Sequence, residues 1–246
     1  MAARSWIVRP KPAEAATVRL VCIPYAGGGV NVYRAWAGLL PPSVELCVAQ
    51  LPGREVRLSE PLLSRSGPVL DALESELAPL GDRPLALFGH SMGALLAFEL
   101  ARRLERAGFE VAHLIVSGWR APQLPDKERL HDLPEPAFIE AVRRFGGTPD
   151  LVFQNAELLQ LVLPILRSDL ALVETHVAEA GEPLACPILA LGGLRDEAVS
   201  KSDVEGWREQ TKGPFRAAFC DAGHLFLQPE RDFVLTQIGA ALKGTR

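Results

Sequence analysis

Cysteine is scarce in this sequence, and long apolar runs are missing altogether. Four cysteines occur in 246 residues, Cys22, Cys47, Cys186 and Cys220, with no C-x-x-C pair and no His-paired spacing that would build a zinc site. Each lies in a strand-like apolar run, so four buried free thiols are expected rather than a disulfide or metal centre. No apolar stretch is long enough to span a bilayer. The N-terminal "MAARSWIVRPKPAEAATVRL" lacks the unbroken apolar stretch of a secretory signal, so a cytoplasmic protein without membrane association is expected. An excess of positive charge is absent too. Lys and Arg total 26 against 30 Asp and Glu, a net charge of -4, which argues against a nucleic-acid binder and leaves small molecules or proteins as partners. Histidine is limited to five residues, which shortens any search for a general base.

What is present reads as one α/β domain over 1–246, long enough to bury well over half of its unfolded surface. Neither an internal repeat nor an interdomain linker is visible. Six short apolar runs have strand character: "VRLVCI" from 18, "VELCVAQL" from 44, "LALFG" from 85, "HLIVSG" from 113, "PILALGG" from 187 and "FRAAFC" from 215. Helical patterns lie between most of them. In "MGALLAFELARRLERAG" Leu96, Leu100 and Leu104 recur every four residues, Arg102, Arg103 and Arg106 fall elsewhere on the surface, and Gly108 supplies a stop. Near-continuous apolar strands alternating with such helices predict a mostly parallel sheet with helices on both faces. The alternation fails from 121 to 182, where no strand is visible and a helical lid insertion is expected. Its apolar positions, among them Phe138, Leu158, Leu161, Val162, Ile165 and Leu172, suit ordinary packing, and Pro164 is expected to break or kink its helix.

The chemistry starts at Gly89-His90-Ser91-Met92-Gly93. G-x-S-x-G is a weak signal alone, but here it joins the end of a strand to the start of a helix, the setting of a nucleophile elbow. A serine hydroxyl needs a base. His90 belongs to the turn, His113 opens a strand, and His131 and His176 lie in the insertion; His224, in "CDAGHLFLQP" just beyond the last strand, can reach the same rim of the sheet. The chain order Ser, acid, His calls for a carboxylate between them. Asp196, in "ALGGLRDEAVS" beyond the fifth of these runs, meets the demand, with Glu197, Asp221 and Asp169 as rivals. An oxyanion hole would come from the Gly-rich "CIPYAGGGV" after the first run, with the Ala26 and Met92 N–H groups as donors. A phosphate-cradling loop is the other use of such glycines, but neither a complete G-x-G-x-x-G nor a following Lys-Ser/Thr is present.

Beyond these residues, the segments "IPYAGGG", "QLPGREVRLSEP", "GHSMGALLAFELARRL", "SGWRAP", "LPILRSDL", "GGLRDEAVS", Trp207 and "AGHLFL" resemble, in order and spacing, type II thioesterases of polyketide and nonribosomal peptide synthesis. The likeness extends from about Trp6 to Ile238. It implies the α/β-hydrolase fold with a helical lid, Ser91 as nucleophile with Asp196 and His224 as its partners, and Ala26 and Met92 as backbone donors. It also implies hydrolysis of acyl groups from the phosphopantetheine arm of an acyl or peptidyl carrier protein, with no cofactor of the enzyme's own. A chain with no carrier domain attached suits the external, editing type, and a monomer is expected. Two positions depart from the family pattern: Ala222 stands where a second Gly is common and Leu225 where an aromatic is. Pro52, Gly53 and Arg54 match a family motif and read here as a structural turn. Basic residues around the entrance, among them Arg120, Arg143, Arg144 and Arg167, would steer an acidic carrier protein, but charged faces of lid helices are usually just solvated and none of the four is put forward as a site residue. An esterase or lipase acting on oxygen esters would use the same three side chains, and a noncatalytic binding protein on the same scaffold would not need them.

Overall fold

Apolar and β-branched residues on both sides of each run suit strands buried on two faces. The structure, a computed structural model, describes residues 5–124, 129–146, 150–178 and 181–245. Its strands are β1 (Ile7–Val8), β2 (Val18–Ile23), β3 (Val44–Ala49), β4 (Leu85–His90), β5 (Val111–Ser117), β6 (Ile188–Gly193) and β7 (Phe215–Cys220). They form one sheet in the order β1-β3-β2-β4-β5-β6-β7, parallel except for the β1 edge. Six of the seven coincide with the predicted runs. β1 was not predicted: two residues carry no periodicity, and it forms by pairing Ile7 with Ala49, next to a 2.7 Å bond from Gln50 N to Trp6 O.

The helices are α1 (Ser66–Leu77), α2 (Met92–Arg106), α3 (Glu135–Phe145), α4 (Asp150–Gln154), α5 (Ala156–Glu174), α6 (Lys201–Glu205) and α7 (Arg231–Ala241). Alternate strand residues feed two apolar clusters. Val21, Ile23, Leu85 and Leu87 meet α1 and α2 on one face, while Leu20, Cys22, Ala86 and Phe88 meet Trp36 and α7 on the other. All four cysteines are buried and free, as expected. Burial raises their pKa values, to about 11 for Cys220 and about 12 for Cys47, so they stay protonated. Among the described residues no helix is long and apolar enough to cross a membrane.

Leu96, Leu100 and Leu104 are fully buried, and Gly108 ends the helix at φ +83°. Arg102 departs from its predicted surface position. It is 6% exposed, lies over the Phe98 ring and pairs with Glu99 at 3.6 Å. The chain beyond α5 covers this part of α2, with His176 Nε2 at 3.1 Å from Glu99. Among the described residues of 121–182 there are three helices, α3, α4 and α5, joined by loops and with no named strand, while residues 125–128, 147–149 and 179–180 of that expectation lie outside the described set. Pro164 does not break α5, which continues to Glu174. Leu163 and Leu166 are buried on either side of it, and Asn155 caps the start by accepting from Glu157 N and Leu158 N. Packing and capping together offset the missing N–H. Phe138 and Leu172 are buried as expected, whereas Leu158 and Leu161 are exposed.

β2 leads to β3 on one side of it and β4 lies on the other, so the strand order reverses there and leaves a crevice at the carboxyl ends. Helix α2 starts in that crevice, pressed against the ends of β2 and β4. A Cβ on Gly89 would sit 1.9 Å from Gly93 O, and one on Gly93 would sit 2.2 Å from Ile23 O. Both obstacles are backbone and cannot swing aside. Gly89→Ala is therefore expected to lose about 3 kcal/mol or more, a fall in Tm of roughly 6–12 °C for a chain of this size. Gly67→Ala, in the open first turn of α1, should hold or slightly raise Tm. Thermal denaturation of the two variants checks the contrast, and equal Tm values would contradict it.

Candidate active site

Ser91 stands between β4 and α2 with φ +53° and ψ -120°, a strained conformation for a residue with a Cβ. It is held there by Ser91 N donating to Ser117 O at 2.8 Å and by Ser91 O accepting from Ala94 N at 2.9 Å, the first bond of α2. The turn presents Oγ at the helix N-terminus, where the aligned peptide dipoles favour negative charge.

His224 reaches Ser91 from the loop after β7. Its Nε2 lies 3.0 Å from Ser91 Oγ, and its Nδ1 lies 2.8 Å from Asp196 Oδ2. Two loops meet to allow this: Leu194 N donates to Cys220 O and Arg195 N to Ala222 O, and Gly193 approaches so closely that a Cβ would meet Ala222 O at 2.4 Å. Asp196 Oδ1 accepts from Ala198 N at 2.9 Å and Val199 N at 3.1 Å. Those bonds point Oδ2 at the imidazole. The Asp196 and His224 side chains are 1% and 8% exposed, so a water-poor path links carboxylate, ring and hydroxyl.

The rivals are placed elsewhere. Asp221 pairs with Arg195 at 2.9 Å, Glu197 is exposed at the cavity rim, and Asp169 pairs with Arg54. The other histidines are also engaged. Fully buried His90 meets Ser117 Oγ through Nδ1 at 2.9 Å; burial, then the neighbouring His224, holds it well below the usual histidine range and so neutral. Burial holds His113 at about 4. His131 contacts Glu174 at 2.5 Å, and His176 bridges Ser66 and Glu99.

Tyr25 to Gly28 form a turn closed by Gly28 N donating to Tyr25 O at 2.8 Å, with Gly27 at φ +78°. A positive φ at the third residue is the type II arrangement and suits glycine. Among the described residues no hydrogen bond takes up the N–H of Ala26 or of Met92. Ala26, Ser91 and His224 line a cavity of about 980 Å³ whose lining also includes Val162, Leu166 and Leu170 of α5. Such a space suits an extended apolar chain with its reactive end at Ser91.

Two features escape sequence reading. Gly53 makes the expected turn at φ +79°, but Arg54 within it is buried and paired with Asp169 of α5. Asp169 occupies the apolar stripe of α5, three residues after Leu166 and four before Val173, and a lone carboxylate on such a stripe is the signal that could have raised the question. Arg167 faces inward, giving Nη1 to Leu133 O at 2.8 Å over the Phe138 ring, while Arg143 remains exposed.

The family model for the thioesterase domain matches residues 18–242. The gramicidin S biosynthesis protein GrsT of Aneurinibacillus migulanus is 42% identical over 224 residues, covering 90% of this chain and 88% of its own. Thioesterase PikA5 of Streptomyces venezuelae is 40% identical, covering 98% and 86%. Among solved structures, the type II thioesterase BorB from the borrelidin biosynthetic cluster superposes with a TM-score of 0.88 at 36% identity, over 98% of this chain and 100% of that one. RedJ, a thioesterase of the prodiginine pathway in Streptomyces coelicolor, matches with a TM-score of 0.88 at 38% identity, over 98% and 96%. With a parallel hydrolase sheet and a match to the family model over nearly its whole length, the chain belongs to the thioesterase domain family.

Proposed function

We propose that this enzyme hydrolyses acyl thioesters borne on the phosphopantetheine arm of a carrier protein in polyketide or nonribosomal peptide synthesis, through Ser91, His224 and Asp196. The observation that carries the reading is the continuous hydrogen-bonded path from Asp196 through His224 to Ser91 Oγ, ending in a cavity with an apolar wall. The thioesterases and biosynthesis proteins it resembles support an acyl thioester as the substrate.

Ser91 Oγ attacks the thioester carbonyl while His224 Nε2 takes its proton, and Asp196 holds the ring in the required tautomer and stabilises the imidazolium. The developing oxyanion takes hydrogen bonds from the Ala26 and Met92 N–H groups, aided by the N-terminus of α2. The carrier thiol departs with the proton from His224. Thiols with pKa near 8.5 leave readily, so acid assistance matters less than for an amide. Water, deprotonated by His224, then attacks the Ser91 ester, and the imidazolium returns the proton to Ser91 Oγ as the acyl C–O bond breaks and the acid is freed. The protein supplies every catalytic group, and the phosphopantetheine belongs to the substrate. Helices α3 to α5 act as a lid that selects the acyl chain and shields the ester. The likeness to a solved type II thioesterase supports an external, editing role, and we place the enzyme in the cytoplasm as a monomer.

Intact-mass analysis of acyl-loaded carrier proteins tests this. Wild type should strip the acyl group and prefer the thioester to a p-nitrophenyl ester of the same chain. Ser91→Ala should be slower by at least about 10⁴-fold. Wild-type rates from Ser91→Ala would overturn the mechanism, and a preference for the oxygen ester would overturn the substrate class. Asp196→Asn, which stabilises the wrong imidazole tautomer, should lower kcat by roughly 10³- to 10⁴-fold with little change in KM. Ala26→Pro removes one donor N–H at a turn position that suits proline, and should lower kcat about 100- to 1,000-fold with the fold intact.

A further inference from the structure

Arg54 and Asp169 are 115 residues apart and both buried, at 6% and 2% exposure. The guanidinium grips the carboxylate with two bonds, Nη1 to Oδ2 at 2.6 Å and Nη2 to Oδ1 at 2.8 Å. Each partner also binds backbone. Arg54 Nε donates to Pro52 O at 3.2 Å and Nη1 to Gly28 O at 3.3 Å, and Asp169 Oδ2 accepts from Gly27 N at 2.8 Å. The pair thus joins three pieces of chain: α5, the turn at 52–54, and the Tyr25–Gly28 turn that carries the Ala26 N–H.

The place of the Gly27 bond matters. Gly27 N belongs to the central peptide of that turn, and type I and type II turns differ by a flip of this one peptide. Asp169 accepts from the N–H in the type II orientation; a flip would turn the Ala26 carbonyl oxygen toward the carboxylate. Leu166, three residues earlier on α5, occupies the space where a Gly27 Cβ would stand, at 2.7 Å. Glu55, itself at φ +49°, fixes the next residues by accepting from Val30 N and Asn31 N at 3.0 Å each. Removing buried charge is often harmless to stability, because two well-packed apolar side chains can replace an ion pair. Apolar replacements cannot accept from Gly27 N. The pair therefore holds the central peptide of the turn in a way that an apolar pair would not.

We propose that Arg54 and Asp169 are positioning residues that lock the Tyr25–Gly28 turn to helix α5, so that the Ala26 N–H is aimed at the reacting carbonyl only while α5 is seated. This rests on the reading of Ala26 as an oxyanion donor. It makes the seating of the helix over the cavity a condition for transition-state stabilisation, coupling enclosure of the acyl chain to chemistry.

The test uses Asp169→Asn, Arg54→Met and the double variant Arg54→Met/Asp169→Leu, alone and combined with Ala26→Pro, with decanoyl-pantetheine as substrate. The double variant should keep a Tm within a few degrees of wild type yet lose at least about 30-fold in kcat, with KM changed less than about threefold. In the Ala26→Pro background the same double change should cost less than about threefold, because the donor it aims is already gone. Full kcat in a folded double variant would overturn the proposal. So would losses that multiply in the Ala26→Pro background, the pattern of a merely structural role. Asp169→Asn and Arg54→Met should each lower kcat in the same sense, and wild-type kcat in both would overturn it as well. If Ala26→Pro alone has full activity, the oxyanion assignment of Ala26 fails, a result read separately from the behaviour of the pair.

Discussion

Helix α2 begins so close to the ends of β2 and β4 that residues 89 and 93 have no room for a side chain. That crowding forces the intervening serine into a positive-φ turn and holds it there. The conformational strain is offset by the packing of α2, whose leucines fill one face of the sheet. The same crossing sets the helix N-terminus beneath Oγ, so a steric constraint delivers an electrostatic one. A roomier junction would let Ser91 relax and withdraw its oxygen from the rim.

Parallel topology does the rest. Because every strand but β1 runs the same way, the loops after β2, β4, β6 and β7 all open on one edge. Ala26, Ser91, Asp196 and His224 come from those four loops. Their separation along the chain is large, yet the sheet spacing of about 4.8 Å brings neighbouring loop ends within side-chain reach. The close approach of Gly193 to the 222–223 backbone completes the contact between the last two loops. Helix α5 lines the crevice as well, the element that touches both the cavity beside Ser91 and, through Asp169 and Leu166, the turn bearing Ala26.

Features governed by local pattern were legible in the sequence. Apolar runs showed the six main strands, spacing-four leucines and Gly108 showed α2, and the strand-to-helix position of G-x-S-x-G singled out Ser91. Elimination among five histidines led to His224, and chain order led to Asp196; the structure brings all three within hydrogen-bond distance. Features governed by distant pairing were not legible. Edge strand β1 depends on a partner 42 residues away, Arg102 is buried by a segment that follows α5, and Pro164 is tolerated because both sides of its helix are anchored. Arg54 looked like part of a turn and Asp169 like a spare acid. Only their meeting in space gives either residue a meaning, and no periodicity encodes such a meeting.

The central claim is that Ser91 Oγ becomes covalently acylated because His224 removes its proton. Rapid quenching during turnover of an acyl thioester, followed by peptide mass mapping, measures this directly. The account requires a transient mass increase equal to the acyl group on the peptide bearing Ser91, formed far more slowly in His224→Ala. Turnover with no adduct at Ser91, or an adduct formed equally fast without the imidazole, would contradict it.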